Sequence, residues 1–208
     1  KVKMAISKDE KIAWHNFKSK WISNSKSRSY AHSIRLKSQA ILTTSKTILK
    51  DNPRFTVRKK NKVIKNMNVI IIDKNLNIPL SSKLLKNLHE RRIIIFTSKN
   101  NIKSKKLKQL GCEIIEMKIE NNELNLKKIF TNLYKLKISD LLVEAGGILF
   151  SNLIKNNLVD ELHLFRAPIT IGDDGIPVIK GNSLIKINKN LLEKIKFDDN
   201  LYTKHAIR

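Results

Sequence analysis

The chain has 208 residues, enough to bury a substantial core, and its apolar fraction of 41% is ordinary for a globular protein. The formal net charge is +24, yet the lysines are spread over every segment, and aromatic side chains are only 6% and do not interleave with the basic ones. That pattern fits biased composition, with nonspecific polyanion affinity and attraction of anionic small molecules as side effects, better than a specific nucleic-acid surface. No apolar run approaches the ~20 residues of a membrane helix, and no signal-peptide pattern is present, so no membrane partner is expected. The single Cys112 excludes an internal disulfide framework, and its apolar-leaning surroundings suit a buried structural thiol in the cytoplasm.

In chain order, Val2 to Ile6 reads as a strand, followed by a turn over Ser7-Lys8-Asp9-Glu10-Lys11. Asn24-Ser25 caps a basic helix that runs to about Lys37, and Ala40 to Thr43 is a second strand. Thr44 to Lys50 gives one or two helical turns, ended by Asp51-Asn52-Pro53, because residues before proline avoid the helical region. Arg54 to Arg58 reads as extended and Lys59 to Lys65 as a solvated basic loop. A strand–helix alternation then begins: strand Asn68 to Asp73, helix Ser81 to Leu88, strand Arg91 to Thr97, and helix Lys103 to Leu110 closed by Gly111. Strand Cys112 to Met117, helix Leu124 to Leu136, strand Leu141 to Val143 and helix Gly147 to Asn156 continue it. Such continuous apolar runs belong to parallel sheets buried on both faces. Glu161 to Ala167 is a further strand, Thr170 to Gly181 a glycine-containing loop, and Leu191 to Phe197 with Tyr202 to Ile207 an antiparallel hairpin. The expectation is one α/β domain over residues 1–208, a mixed sheet in three α/β/α layers with a C-terminal antiparallel hairpin.

The stretch from Asp140 to Ile154 is the most informative. An apolar strand ends at the carboxylate Glu144, and Gly146-Gly147 then open a helix with Ile148, Leu149, Leu153 and Ile154 at helical spacing. Strand, glycine corner and helix N-terminus in that order suit an anion, because the first-turn N–H groups point outward and glycine admits close approach. Glu144 falls where open α/β sheets hold ligands, beyond the carboxyl end of a strand. There is no G-x-G-x-x-G, no P-loop and no G-x-S-x-G elbow. His15, His32, His89, His163 and His205 are isolated from one another and there is no cysteine pair, so no metal site is expected.

The N-terminal region adds a resemblance. Lys3 to Ala13, Trp21-Ile22-Ser23, His32 to Arg35, Ala40 to Thr43 and Thr47 to Arg58 closely resemble the reductase domain of riboflavin biosynthesis, the C-terminal half of a bifunctional pyrimidine deaminase/reductase. The likeness resumes at Asn68 to Leu80, continues through Val143-Glu144-Ala145-Gly146-Gly147 and closes with Leu158 to Leu162 and Ala167-Pro168-Ile169. It implies a dihydrofolate-reductase-like fold, NADPH as hydride donor and a homodimer. The implied substrate is 5-amino-6-(5-phosphoribosylamino)uracil, whose ribosyl group is reduced to a ribityl chain.

By matching position, the resemblance makes Lys3, Ser19, Arg35, Phe55, Arg58 and Glu144 the substrate set, with Glu144 and Lys3 at the reacting centre. Arg35 and Arg58 suit the ribose 5-phosphate, since guanidinium forks match phosphate oxygens. The implied cofactor set is Ala5, Trp21, Thr47, Asp51, Gly146, Gly147, Ile148, Leu149, Phe150, Ser151 and Asn152. The chain departs from the family in two places. Ser7-Lys8-Asp9-Glu10 stands where the family has Ser-Leu-Asp-Gly, and Lys74 stands where it places a small hydroxyl residue, as a point charge that would meet a 2′-phosphate. The deaminase zinc signature is absent from this sequence, so the chain is expected to reduce and not deaminate, with a separate deaminase as a candidate partner. The competing expectations are a same-fold reductase for another pterin or pyrimidine, and a basic nucleic-acid-binding protein.

Overall fold

The computed structural model describes residues 1–15, 22–179, 184, 187 and 189–207. In chain order the elements are β1 (Val2–Ile6), β2 (Lys11–Ala13), α1 (Ser25–Leu36), β3 (Ala40–Thr44), α2 (Ser45–Asp51), β4 (Thr56–Lys59), β5 (Lys62–Asn66) and β6 (Asn68–Ile72). A 3₁₀ segment (Lys83–Glu90), β7 (Ile93–Thr97), α3 (Ile102–Gln109), β8 (Glu113–Glu116), β9 (Ile119–Glu120), β10 (Glu123–Leu124) and α4 (Leu126–Lys135) come next. The chain closes with β11 (Leu141–Val143), α5 (Gly147–Lys155), β12 (Glu161–Arg166), β13 (Ile176–Pro177), β14 (Asn190–Phe197) and β15 (Asn200–Ala206). It divides into two compact units, Lys1–Ala31 with Gly146–Arg208, and His32–Ala145.

In the second unit, five parallel strands run in the order β11-β3-β6-β7-β8. The reason is visible in β6 and β7, whose Val69, Ile70, Ile71, Ile93, Ile94, Ile95 and Phe96 are all fully buried. A strand that hides both faces needs cover on both, as the segments between parallel strands provide. One core joins Ile41, Ile48, Met67, Ile71, Ile95, Leu107 and Cys112. Burial pushes the Cys112 thiol up to about 11, which leaves it an inert packing group. Short polar side chains start the helices. Thr44 accepts from the Thr47 N–H, Asn101 and Ser104 form a reciprocal capping box, and Asn125 accepts from Lys128. Gly111, at φ +102, ends α3 as the sequence predicts.

In the first unit the strand order is β14-β15-β12-β1, with β1 parallel to β12 and the other pairs antiparallel. The C-terminal hairpin is therefore as predicted, and with the parallel strands and helices it makes the architecture α/β. Along β1, Val2, Met4 and Ile6 are buried, so Lys3 and Ala5 share the opposite, half-buried face. Asn24 caps α1 by accepting from Ser27 N–H. One turn further, Tyr30 packs its ring 4.8 Å from Tyr202 and 5.1 Å from Phe197, while Phe165 lies 5.0 Å from Tyr202. These spacings are those of favourable edge and tilted aromatic pairs.

Several local expectations change. The basic loop Lys59 to Lys65 is instead the antiparallel hairpin β4–β5. Its strands are mostly exposed on both faces, so no apolar alternation marks them, and Lys60 and Asn61 both take positive φ to close it. The segment after Pro79 is 3₁₀ and not α-helical. Ser82 gives its hydroxyl to the Pro79 carbonyl instead of capping, and Asn87 leaves helical geometry. Two ribbons, β2–β13 and β9–β10, go unannounced because they are two or three residues long. Among the described residues, eleven other than glycine take positive φ, including Glu10, Asn52, Phe55, Leu76, Asn121, Asn122 and Asn157.

His163, buried on β12, gives a pH-dependent stability. Tyr202 lies 2.8 Å from Nδ1 and Glu161 3.3 Å from Nε2, a pattern satisfied by neutral imidazole with its proton on Nε2. Desolvation outweighs Glu161 and lowers the ring to about 4. Between that value and 6.5 the unfolded chain binds a proton that the folded chain refuses. Stability should therefore rise with pH across this window, by on the order of 3 kcal/mol in full. Urea titrations from pH 4 to pH 7 should show that slope in the parent and a flatter one in His163→Gln.

Candidate functional site

The second unit builds a buried ion pair at the carboxyl ends of β3 and β11. Leu42 pairs with Val143 in register, and the Glu144 N–H then donates to the Leu42 carbonyl at 3.0 Å. Thr43 Oγ1 donates to the Glu144 carbonyl at 2.8 Å, so the backbone of Glu144 is fixed on both sides. Its side chain, only 10% exposed, receives Arg35 Nε on Oε1 at 2.5 Å and Arg35 Nη2 on Oε2 at 2.8 Å. Arg35, in the last turn of α1, spends its third arm on the Thr56 carbonyl at 2.9 Å. Burial opposes the guanidinium charge, but the Glu144 carboxylate outweighs it and holds Arg35 above its ordinary value. This is a fork-on-fork pair with little freedom left.

Around it, Arg58 on β4 is exposed and donates from Nε to Thr56 Oγ1 at 3.2 Å. Its backbone N–H donates to His32 Nδ1 at 3.3 Å. Desolvation, then Arg35, lowers His32 below its ordinary value. His32 is a participant that site reading by sequence missed, although its i, i+3 spacing to Arg35 puts the two on one helix face. Phe55, at φ +47, buries its ring in the core, so only its backbone is available to a ligand. Thr47 lies half-buried in the first turn of α2 and Asp51 is exposed at its end. Lys74 donates its ammonium to the Asn122 carbonyl and Oδ1, at 2.6 and 3.1 Å, and thereby ties down the β9–β10 turn. Asp73 is buried and accepts the N–H groups of Asn77 and Ile78, a turn-closing role.

In the first unit, Lys3 and Ala5 lie on one face of β1, in register with His163 and Phe165. Gly146 is the N-cap of α5 and no side chain caps that helix. A Cβ on Gly146 would meet nothing within 4 Å, whereas one on Gly147 would come within 2.4 Å of the Val178 carbonyl oxygen. The two glycines thus do different work. Gly147 accommodates the chain's own backbone, and Gly146 leaves open space before uncapped first-turn N–H groups, which fits an anion such as a pyrophosphate. Leu149 and Phe150 are buried, Ile148 is 59% exposed, Ser151 donates to the Gly147 carbonyl, and Asn152 is exposed. Leu149 and Phe150 would therefore serve a ligand through backbone only. Ser19 and Trp21 lie outside the described residues. Among those described, no cluster of His, Cys, Asp or Glu could hold a metal ion, and no helix is long and apolar enough to cross a membrane.

The family model described as the RibD C-terminal domain matches residues 1–201. The riboflavin biosynthesis protein RibD of Aquifex aeolicus is 35% identical over 207 residues, covering 95% of this chain and 55% of that protein. The 5-amino-6-(5-phosphoribosylamino)uracil reductase of Buchnera aphidicola from Acyrthosiphon pisum is 31% identical over 192 residues, covering 87% and 90%. Among solved structures, Acinetobacter baumannii RibD superposes with a TM-score of 0.84 at 25% identity, covering 99% of this chain and 56% of that one. A likeness of fold alone, TM-score 0.52 at 13% identity over 99% of this chain and 94% of the other, extends to the dihydrofolate reductase of Enterococcus faecalis. The chain spans about half the length of the RibD proteins it matches.

Two outcomes follow from this geometry. Arg35→Leu strands a buried carboxylate and should cost about 3–5 kcal/mol in urea unfolding, while adding Glu144→Leu should return part of that loss. Gly147→Ala should lower Tm by roughly 2–8 °C through overpacking against Val178, with Gly146→Ala close to the parent.

Proposed function

The chain belongs to the RibD C-terminal domain family, and we propose that it is the NADPH-dependent reductase of riboflavin biosynthesis. In this reading residues 1–208 act as one reductase domain that converts the ribosyl group of 5-amino-6-(5-phosphoribosylamino)uracil to the ribityl product. The observation that carries it is the buried Glu144 carboxylate, fixed by Arg35 at the carboxyl ends of parallel strands, in a chain similar to a protein named as that reductase. A site that reduces a ribosyl carbon needs a fixed negative group near the positive charge that develops on the imine side, and a proton for the released ring oxygen.

Glu144 meets the first need, since the donors on its two oxygens hold it in one orientation. Lys3 on β1 meets the second, as a cation that donates a proton or offsets charge on oxygen. Arg35 is engaged by Glu144 and Thr56, so the 5-phosphate falls chiefly to Arg58, whose guanidinium is exposed. The open first turn of α5 would hold the cofactor pyrophosphate, with Ala5, Trp21, Thr47 and Asp51 completing the NADPH set. NADPH, when bound, supplies the hydride. We place the enzyme in the cytoplasm as a homodimer, working with a deaminase, either a separate chain or part of a longer one.

The test is NADPH consumption with the deaminated phosphoribosylaminopyrimidine. Glu144→Gln should lose about 10²–10³-fold in kcat, and Arg58→Ala should raise the substrate KM at least tenfold with kcat largely kept. Saturable NADPH binding without turnover in the parent would overturn the substrate assignment.

A further inference from the structure

Two arginines of the second unit meet at one residue of β4. Thr56 is buried, only 4% exposed. Its carbonyl accepts Arg35 Nη1 at 2.9 Å, and its hydroxyl accepts Arg58 Nε at 3.2 Å. Residues two apart on a strand share a face, which brings the hydroxyl beside the Arg58 side chain. The bond uses Nε alone. Nη1 and Nη2, the pair that matches two phosphate oxygens as a fork, are not engaged by it. Arg35 in turn holds the Glu144 carboxylate through Nε and Nη2. The line Glu144–Arg35–Thr56–Arg58 is therefore continuous, each residue hydrogen-bonded to the next.

Thr56 is itself held from behind. Phe55, at φ +47, sinks its ring into the core, and its carbonyl accepts the Met67 N–H at 3.1 Å. The buried Arg91 donates Nη1 to the Arg54 carbonyl at 2.7 Å and Nη2 to Asn66 Oδ1. Asn66 is the register partner of Thr56 on β5, so Arg91 braces both strands at the foot of the hairpin. Beyond Val57 on β4, and from Lys62 to Lys65 on β5, the hairpin is exposed, and a two-stranded ribbon is marginal by itself. An arginine on such a ribbon samples many rotamers, and a phosphate that binds it must immobilise it. The Thr56 hydroxyl restricts that side chain in advance, from a point that is already fixed relative to Glu144.

We propose that Thr56 is a positioning residue for substrate binding: its hydroxyl holds the Arg58 guanidinium at a fixed offset from Glu144, so that anchoring the 5-phosphate also brings the ribosyl carbon to the carboxylate. The proposal rests on the reading of Arg58 as the phosphate ligand. Substrate KM and kcat are measured for the parent, Thr56→Val, Thr56→Ser, Arg58→Ala and the double variant, with the phosphorylated substrate and with its dephosphorylated ribosyl counterpart. Valine keeps the shape of threonine and removes the acceptor. Thr56→Val is expected to raise the KM for the phosphorylated substrate about three- to tenfold with kcat largely kept, as for one long side chain left to be immobilised on binding. Thr56→Ser, which keeps the hydroxyl, should return most of that loss. With the dephosphorylated substrate, or added to Arg58→Ala, Thr56→Val should change KM by less than about twofold. An unchanged KM in Thr56→Val beside a raised KM in Arg58→Ala overturns the proposal and leaves the phosphate reading standing. An equal rise with both substrates, or in the Arg58→Ala background, makes the role of Thr56 purely structural and overturns it as well. No effect of Arg58→Ala on KM overturns the phosphate reading and the proposal together.

Discussion

The second unit is organised by one electrostatic constraint, a carboxylate taken out of water and answered by an arginine fork. Burying Glu144 would be prohibitive without a partner that supplies both charge and directed N–H groups. Arg35 supplies both, and its remaining arm reaches Thr56, so the pair also sets where α1 ends and where β4 begins. The apolar strands β3 and β11 deliver the backbone of Glu144, and Thr43 stops it from rotating. Hydrophobic burial makes the sheet, but this pair determines which chemistry stands at its end.

The same economy appears across the acidic residues, which are few, 18 against 42 basic ones. Asp73 closes a turn by accepting two backbone N–H groups, and Asp9 accepts two from the distant Ile171 and Gly172. Glu113 pairs with Arg92 across neighbouring strands, and Glu161 joins His163 to Lys204. Much of the negative charge is thus assigned to structural points, and many of the lysines are left solvated. The surplus charge is consistent with biased composition, and it surrounds any anionic ligand with a favourable field.

Much of this was legible in the sequence because its cause is local or periodic. Strands such as Ile93–Thr97 announce themselves by unbroken apolar runs, and Gly111 or Asn24 by the chemistry of helix ends. The parallel architecture and the C-terminal hairpin followed from those signals and from the family likeness. What escaped depends on distant partners. That Arg35 would be consumed by Glu144, 109 positions away, is invisible in the spacing of either residue. Strand β5 has no buried residue to print an alternation, and in β4 only Thr56 and Val57 are buried, side by side. Gly147 looked like a ligand contact, and only the fold reveals the Val178 carbonyl against it.

The backbone also carries a less obvious consequence. Left-handed positions are usually given to glycine, yet here asparagine, lysine, leucine and even phenylalanine occupy them. An isolated loop of such residues would drift to other conformations, because its own torsional preferences point elsewhere. Each turn is therefore shaped from outside, by the strand ladder, helix cap or side-chain anchor at its ends. At these positions a turn and the elements that anchor it are coupled, so that loosening the anchors releases the turn's strained torsions as well.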